Sequence, residues 1–514
     1  MTTPVAAGAP VIRLDSLQAD LEASLAALRA DLGGPSCRVA ASRRLVEAAL
    51  DDGEPHYGIN TGFGSLKSER VGRDDLAALQ VNLLRSHAVG VGPLVPREAS
   101  HRMLRLKIHA LGLGVSGISV PVMERLLAMD AAGVVPVVPS QGSLGASGDL
   151  APLAHLALPL LGDGQVWGAD GTPEPAADAL ARLGWAPVPL GPKDGLALIN
   201  GTQFMAALGS DVMIRAARLA QTADVVAAMT LEATRGSARP FDARVHAVRP
   251  HAGALAVAAN VRRLLDGSEI GPSHAGCGKV QDPYSVRCVP PVHGASRDAL
   301  AYARQAIETE LNSVTDNPLV FDVDGAPDLI SAGLFHGQPL AIALDVAAIA
   351  VAELASISER RTYLLLDAHD HLPPFLLAET GVQSGFMMVQ YTAAALVSEN
   401  KGLCHPASVD SIPSSRGQED HVSMGAWGAR KAVQVVENAE RVLAAELLCA
   451  AQGLEFRRPL RAGAGVDAAL RVVRDRVPFR TQDGLFEADL TACTDLVRAG
   501  AVVRAASDAC GPLD

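Results

Sequence analysis

Residues 205–234 read MAALGSDVMIRAARLAQTADVVAAMTLEAT. Alanine and leucine dominate, no proline interrupts, and apolar residues do not alternate with polar ones as a half-buried strand requires. The run predicts a long helix. The same texture returns at 296–313, 339–366, 386–401, 422–453 and 488–506, with polar or glycine-rich breaks between. Long helices recurring in this way describe a mainly α protein built on an elongated helical bundle. No internal repeat of fixed period accompanies them.

Upstream the texture changes. Residues 1–10 read as disordered, and 14–50 as short helices with Asp15-Ser16 at the first cap. Tyr57-Gly58-Ile59-Asn60-Thr61-Gly62-Phe63-Gly64 is too rich in glycine for a helix and predicts an irregular loop. Helical periodicity resumes over 74–132. A second irregular segment, Val135 to Leu150, comes next, then a surface excursion over 164–194 with turns at Asp163-Gly164 and Asp170-Gly171. The chain therefore divides into a disordered start (1–10), a smaller N-terminal domain carrying the irregular glycine-rich loops (11–195) and a long-helix bundle domain (196–514).

The formal net charge of −12 over 514 residues repels phosphate backbones, and the six lysines (67, 107, 193, 279, 401, 431) form no cluster, so nucleic acid is not an expected partner. Seven cysteines lie scattered without a CxxC pair, which fits free thiols in a reducing compartment. MTTPVAAGAP lacks the charged and apolar regions of a signal peptide. The most apolar stretch, Pro339 to Ile357, carries Asp345 and Glu353, so a buried core helix is expected there and no membrane span. The expected compartment is the cytoplasm. No HExxH or other metal motif is present, and no metal or dissociable cofactor is expected.

Gly142-Ser143-Leu144-Gly145-Ala146-Ser147-Gly148-Asp149 carries the chemistry. The plainest use of such a stretch is a turn before a helix capped by Asp149. It is neither GxGxxG, nor a P-loop, nor GxSxG. Internal cyclisation is the remaining possibility. The nitrogen of Gly148 attacks the carbonyl carbon of Ala146, two waters leave, one of them from the Ser147 side chain, and a five-membered ring with an exocyclic methylene results. Glycine supplies the tight bend and the unhindered nucleophile.

Gly145-Ala146-Ser147-Gly148-Asp149-Leu150-Ala151-Pro152-Leu153-Ala154-His155 resembles the signature of the aromatic amino acid ammonia-lyases and aminomutases, which form 4-methylideneimidazole-5-one (MIO) from Ala-Ser-Gly. Further segments resemble the family in order along nearly the whole chain: 57–64, Asn200-Gly201-Thr202-Gln203, 279–288, Asp316-Asn317-Pro318-Leu319, Ser358-Glu359-Arg360-Arg361 and 418–424. Within it, Ser86-His87 and Gln418-Glu419-Asp420-His421 are similar to the histidine-specific branch. The resemblance implies ammonia elimination from L-histidine to trans-urocanate, the first step of histidine degradation, by a homotetramer whose active sites are shared between chains. MIO would form autocatalytically from Ala146-Ser147-Gly148.

The roles implied are these. Tyr57 removes the β-proton, for which a phenol with an ordinary pKa of about 10 must become more acidic to act near neutrality. His87 faces the substrate imidazole, and Glu419 pairs with it or shuttles a proton. Arg287 holds the carboxylate with its planar fork. Asn200 offers a donor and an acceptor to the amino or carboxylate group. Gln281 and Tyr284 share one segment with Arg287, Tyr284 being the second candidate base, and Phe335 walls the pocket. Each residue type also has a commoner use: a loop-packing tyrosine, a locally satisfied helix histidine, an arginine in an ion pair, a phenylalanine in the core.

The chain departs from the family at two places. Leu334 stands where asparagine is usual, and Arg416-Gly417 where Ala-Asn is usual. The alternatives are another MIO enzyme (a tyrosine or phenylalanine ammonia-lyase, or a histidine aminomutase) and, from another class, a catalytically silent helical assembly protein.

Overall fold

Residues 205–234 lie almost wholly in one helix, Gln203–Ala233, in the computed structural model, which describes residues 10–34, 37–379 and 381–514. Four more of the expected runs are helices: Val289–Leu311, Gln338–Leu366, Met387–Leu403 and Gly425–Glu455. The run 488–506 is not continuous. Gly500 turns left-handed (φ 66°) and separates Phe486–Ala499 from Ala501–Cys510, the usual way a glycine ends a helix. The protein is mainly α. Disorder expected at 1–10 falls outside the described residues, apart from Pro10.

The chain divides into two compact units, each discontinuous in sequence, whereas the sequence reading draws a single boundary at 195/196. The first comprises Met1–Asp211, Arg304–Asp345 and Pro406–Arg430. It holds the shorter helices Leu17–Leu32, Arg38–Ala49, Leu76–His87, Arg97–Gly112, Val120–Ala132 and Leu150–Ala157. Among the described residues three antiparallel two-stranded sheets decorate them: Val91–Leu94 with Pro139–Gln141, Gln165–Trp167 with Pro173–Pro175, and Leu319–Val323 with Ala326–Ile330. The second sheet is the hairpin expected in the 164–194 excursion. The third was not expected. Its register pairs Val323 with Ala326 around Asp324-Gly325, both at positive φ (53° and 85°), which is the primed turn an Asp-Gly pair favours.

One core cluster of this unit fixes the tyrosine loop. Val46 of helix Arg38–Ala49, Ile59 of that loop and Val320 of the hairpin pack together, all at most 2% exposed. Burying a side chain of this size contributes about 2 kcal/mol, so Ile59 anchors an otherwise irregular segment.

The second unit comprises Val212–Ala303, Val346–His405 and Lys431–Asp514. Its core includes Leu231, Phe241, Val257, Val261, Val286 and Val289. Buried charges in it are matched: Arg361 meets Glu446 through two hydrogen bonds (2.6 and 2.8 Å), and Asp224 takes His293 and Arg297. Among the described helices, Gln338–Leu366 is long and apolar enough to cross a bilayer by length and composition, with mean hydropathy 2.1, and 67% of that apolar window is buried in the protein. Asp345 within it is buried and accepts the Ser408 amide (2.8 Å).

Candidate active site

The tyrosine loop is closed by its own backbone. Gly62 N–H donates to the Glu69 carbonyl (2.9 Å) and Val71 N–H to that of Asn60 (3.0 Å). Gly58 has φ 69°, and a Cβ there would meet Leu196 at 2.1 Å, so only glycine allows this approach. Tyr57 is half-buried, and its Oη accepts a hydrogen bond from Gly64 N–H (3.2 Å).

Gly145 and Gly148 pair as an antiparallel bridge, which closes Ala146-Ser147 into a two-residue turn. Ser147 (φ 49°) and Gly148 (φ 79°) are both left-handed. A Cβ on Gly148 would lie 2.1 Å from the Gly201 carbonyl oxygen and 3.0 Å from that of Phe335. The Ala-Ser-Gly backbone is thus bent, hemmed in and free of side-chain hindrance at its nitrogen, so the residues present fit a ring closed between Ala146 and Gly148. Asp149 does not cap the helix next to it in the chain. Its amide donates to Gly201 O (2.7 Å), and its carboxylate accepts Phe204 and Met205 N–H (3.0 Å each), the first turn of helix Gln203–Ala233. Burial pushes this carboxyl up to about 7 despite those donors.

Asn200 ends helix Asp194–Ile199. Its Nδ2 donates to Asn317 O (2.8 Å), while its Oδ1 is buried without a partner in the structure. His87 is the last residue of Leu76–His87. Its Nδ1 lies 2.9 Å from Leu83 O, so Nδ1 carries the proton and Nε2 is left as an acceptor. Glu419 accepts from Ser414 Oγ (2.5 Å).

These segments enclose two adjoining hollows of about 740 and 410 Å3 that share Tyr57, Gly64, Ser147 and Glu419 on their walls. Phe335 lines the larger; His87 and Asn200 line the smaller. Gln281, Tyr284 and Arg287 belong to the second unit, and neither lining includes them. There the Arg287 guanidinium lies 4.5 Å from the Tyr284 ring centroid and its Nε donates to Asp282 O (3.0 Å), while Tyr284 is 70% exposed.

Electrostatically the site is divided. Burial pushes the Tyr57 hydroxyl above its ordinary value and the Glu419 carboxylate adds to the rise, while the Gly64 amide acts the other way. The greater acidity expected of Tyr57 is therefore not what the cavity by itself provides. Burial also holds the His87 imidazole below its ordinary range, against the Leu83 carbonyl and Glu419.

A family model described as aromatic amino acid lyase matches residues 35–475. The chain belongs to the aromatic amino acid lyase family. The lyase is 54% identical over 472 residues to a histidine ammonia-lyase of Anaeromyxobacter sp. (strain K), covering 90% of this chain and 92% of that one. Among solved structures it is similar to histidine ammonia-lyase from Trypanosoma cruzi (TM-score 0.84, 44% identity, 92% of this chain and 89% of that one). It is also similar to a tyrosine aminomutase from Streptomyces globisporus (TM-score 0.86, 37% identity, 92% and 94%). The lyase is accordingly a carbon–nitrogen lyase.

Three further groups brace the site of this lyase: Lys107, His155 and the Gly64 amide. Lys107, buried on Arg97–Gly112, donates to the Asn200 carbonyl, and burial lowers its amine to about 7. A lone lysine in an amphipathic helix gives no signal of this. His155 Nε2 accepts Gly90 N–H (3.0 Å), tying the helix after the Ala-Ser-Gly turn to the loop after His87. The Gly64 amide is a backbone group that no residue type announces. Of the two departures, Leu334 is 48% exposed and on neither lining, and Ser415-Arg416-Gly417 run left-handed together (φ 48°, 56° and 83°).

Proposed function

We propose that this lyase eliminates ammonia from L-histidine to give trans-urocanate. The observation that carries the reading is that one hollow is lined by Tyr57, His87, Ser147, Asn200 and Glu419 together. The histidine ammonia-lyases similar to it over nine-tenths of the chain support it. MIO, closed from Ala146-Ser147-Gly148, would supply an electrophilic methylene that makes the amino group a leaving group.

The chain's own residues do the rest. His87 Nε2 accepts from the substrate imidazole N–H, and Glu419 faces the same ring with its carboxylate. Asn200 Oδ1, otherwise unpartnered, takes an N–H of the substrate amino group. Tyr57, ionised, removes the β-proton. A cationic substrate group near Glu419 cancels the field that raises the Tyr57 hydroxyl, so binding itself favours the base. Arg287 holds the carboxylate, with Gln281 and Tyr284 beside it. They would come from a second copy in a homotetramer whose sites are shared, and the exposure of Tyr284 supports that. We place the protein in the cytoplasm, a reducing compartment that suits a chain whose cysteines show no CxxC pair.

Purified protein incubated with L-histidine should raise urocanate absorbance in the near ultraviolet and release equimolar ammonia. Intact-mass analysis should show the chain lighter by two waters, with Ser147→Ala at full mass and nearly inactive. Full unmodified mass in active protein would remove MIO. Conversion to β-histidine without ammonia would make the protein an aminomutase.

A further inference from the structure

Tyr57 takes its hydrogen bond from a backbone amide, and that amide's position depends on a neighbouring segment. Gly64 N–H points at Tyr57 Oη (3.2 Å), while the next amide, Ser65 N–H, donates across a gap to Ser415 Oγ (3.1 Å). Gly64 is pressed on the same serine hydroxyl: a Cβ there would stand 2.6 Å from it. Three residues on, Lys67 Nζ donates to Gln418 Oε1 (2.5 Å). Two side chains of the turn 414–419 therefore grip the loop on either side of Leu66. The turn is shaped for this. Ser415, Arg416 and Gly417 are all left-handed, Gly417 N–H closes on Ser414 O (2.9 Å), and Ser414 pairs with Glu419. Such a run of positive φ persists only where its surroundings hold it.

We propose that Ser415 and Lys67 are positioning residues for Tyr57, clasping its loop to the turn 414–419 so that the Gly64 amide stays on the phenolic oxygen. The inference rests on Tyr57 being the base. An N–H donor favours the phenolate over the phenol, whose oxygen has less charge to offer. The charged or titratable groups facing Tyr57 are Glu419 from the turn, His87 from helix Leu76–His87, and Lys67 and Arg70 from its own loop. Glu419 opposes ionisation, and the amide is the group that counters it.

The test is a pH series of kcat and KM on L-histidine for Ser415→Ala, Lys67→Met and Lys67→Arg, each also made with Tyr57→Phe. Ser415→Ala and Lys67→Met should each lower kcat about three- to tenfold with KM within about twofold. Each should move the rising limb of kcat/KM up by about half to one pH unit. Lys67→Arg, which keeps the donor, should restore both. The two-water mass deficit and the thermal midpoint should stay at wild-type values, since Lys67 is exposed and Ser415 half-exposed. With Tyr57→Phe the limb should vanish and Lys67→Met should add nothing. An unmoved limb in the folded single variants overturns the clasp, and so does an equal fall in kcat on the Tyr57→Phe background. A limb that survives Tyr57→Phe instead refutes the base assignment, and wild type without turnover refutes the proposed reaction.

Discussion

Tyr57 and Arg287 are asked to do different things, and steady-state kinetics separates them. Loss of a base acts on the transition state, so Tyr57→Phe should lower kcat at least about a hundredfold with little change in KM. Arg287→Lys keeps the charge and loses the fork; it should raise KM on the order of tenfold and spare kcat. The pH profile carries a sign. As the proposed base Tyr57 must work deprotonated, and burial and Glu419 hold its hydroxyl above the ordinary value. kcat/KM should therefore keep rising through the alkaline range, not level off near neutrality. A plateau below pH 7 would exclude Tyr57 as the base, and wild-type kcat in Tyr57→Phe would make Tyr284 the next candidate. At His87 the Nε2 acceptor is the group proposed to select the substrate ring. His87→Phe should erode the preference for L-histidine over L-phenylalanine by about tenfold or more, an acceptor being replaced by an apolar wall; unchanged selectivity would dissociate His87 from the ring.

Elements explain what single residues cannot. The two-residue turn at Ala146-Ser147 needs glycine at both ends, and at Gly145 (φ 88°) a Cβ would meet Ser423 Oγ at 2.2 Å. Gly145→Ala should leave soluble protein at full mass, without the two-water deficit, and nearly inactive; a normal deficit would show that the turn tolerates a displaced neighbour. Elements also show what the chain made legible. Long helices were readable because their apolar texture runs over many residues, and 205–234 misses Gln203–Ala233 by no more than two residues at an end. The break at Gly500 is hidden inside an otherwise unbroken pattern, and the hairpin at 319–330 is signalled by nothing longer than the pair Asp324-Gly325. In the site, Tyr57, His87 and Ser147 announced themselves through motifs. Lys107 and the Gly64 amide did not, because their importance lies in what folds onto them. The carboxylate of Asp149 serves a helix other than the one next to it in the chain, since residues 203–205 are remote in sequence and adjacent only after folding.

At the scale of the whole molecule, Tyr57 and Arg287 sit in different compact units. If each site draws them from different copies, two crippled chains should repair one another. Co-assembly of Tyr57→Phe with Arg287→Ala should recover activity well above either homo-oligomer, and no recovery would argue that each chain completes its own site. Asp149 bears on a different question, that of time. Its amide shapes the Ala-Ser-Gly turn through Gly201, while its carboxylate holds the first turn of a helix of 31 residues. These bonds draw the turn tight only when that helix is docked, so the proposed ring closure would wait for a chain already folded. On the proposed chemistry, a nascent or misfolded chain would stay chemically harmless, carrying an ordinary serine where a finished one would carry a strong electrophile, and the missing mass would become a clock that starts only once folding is over.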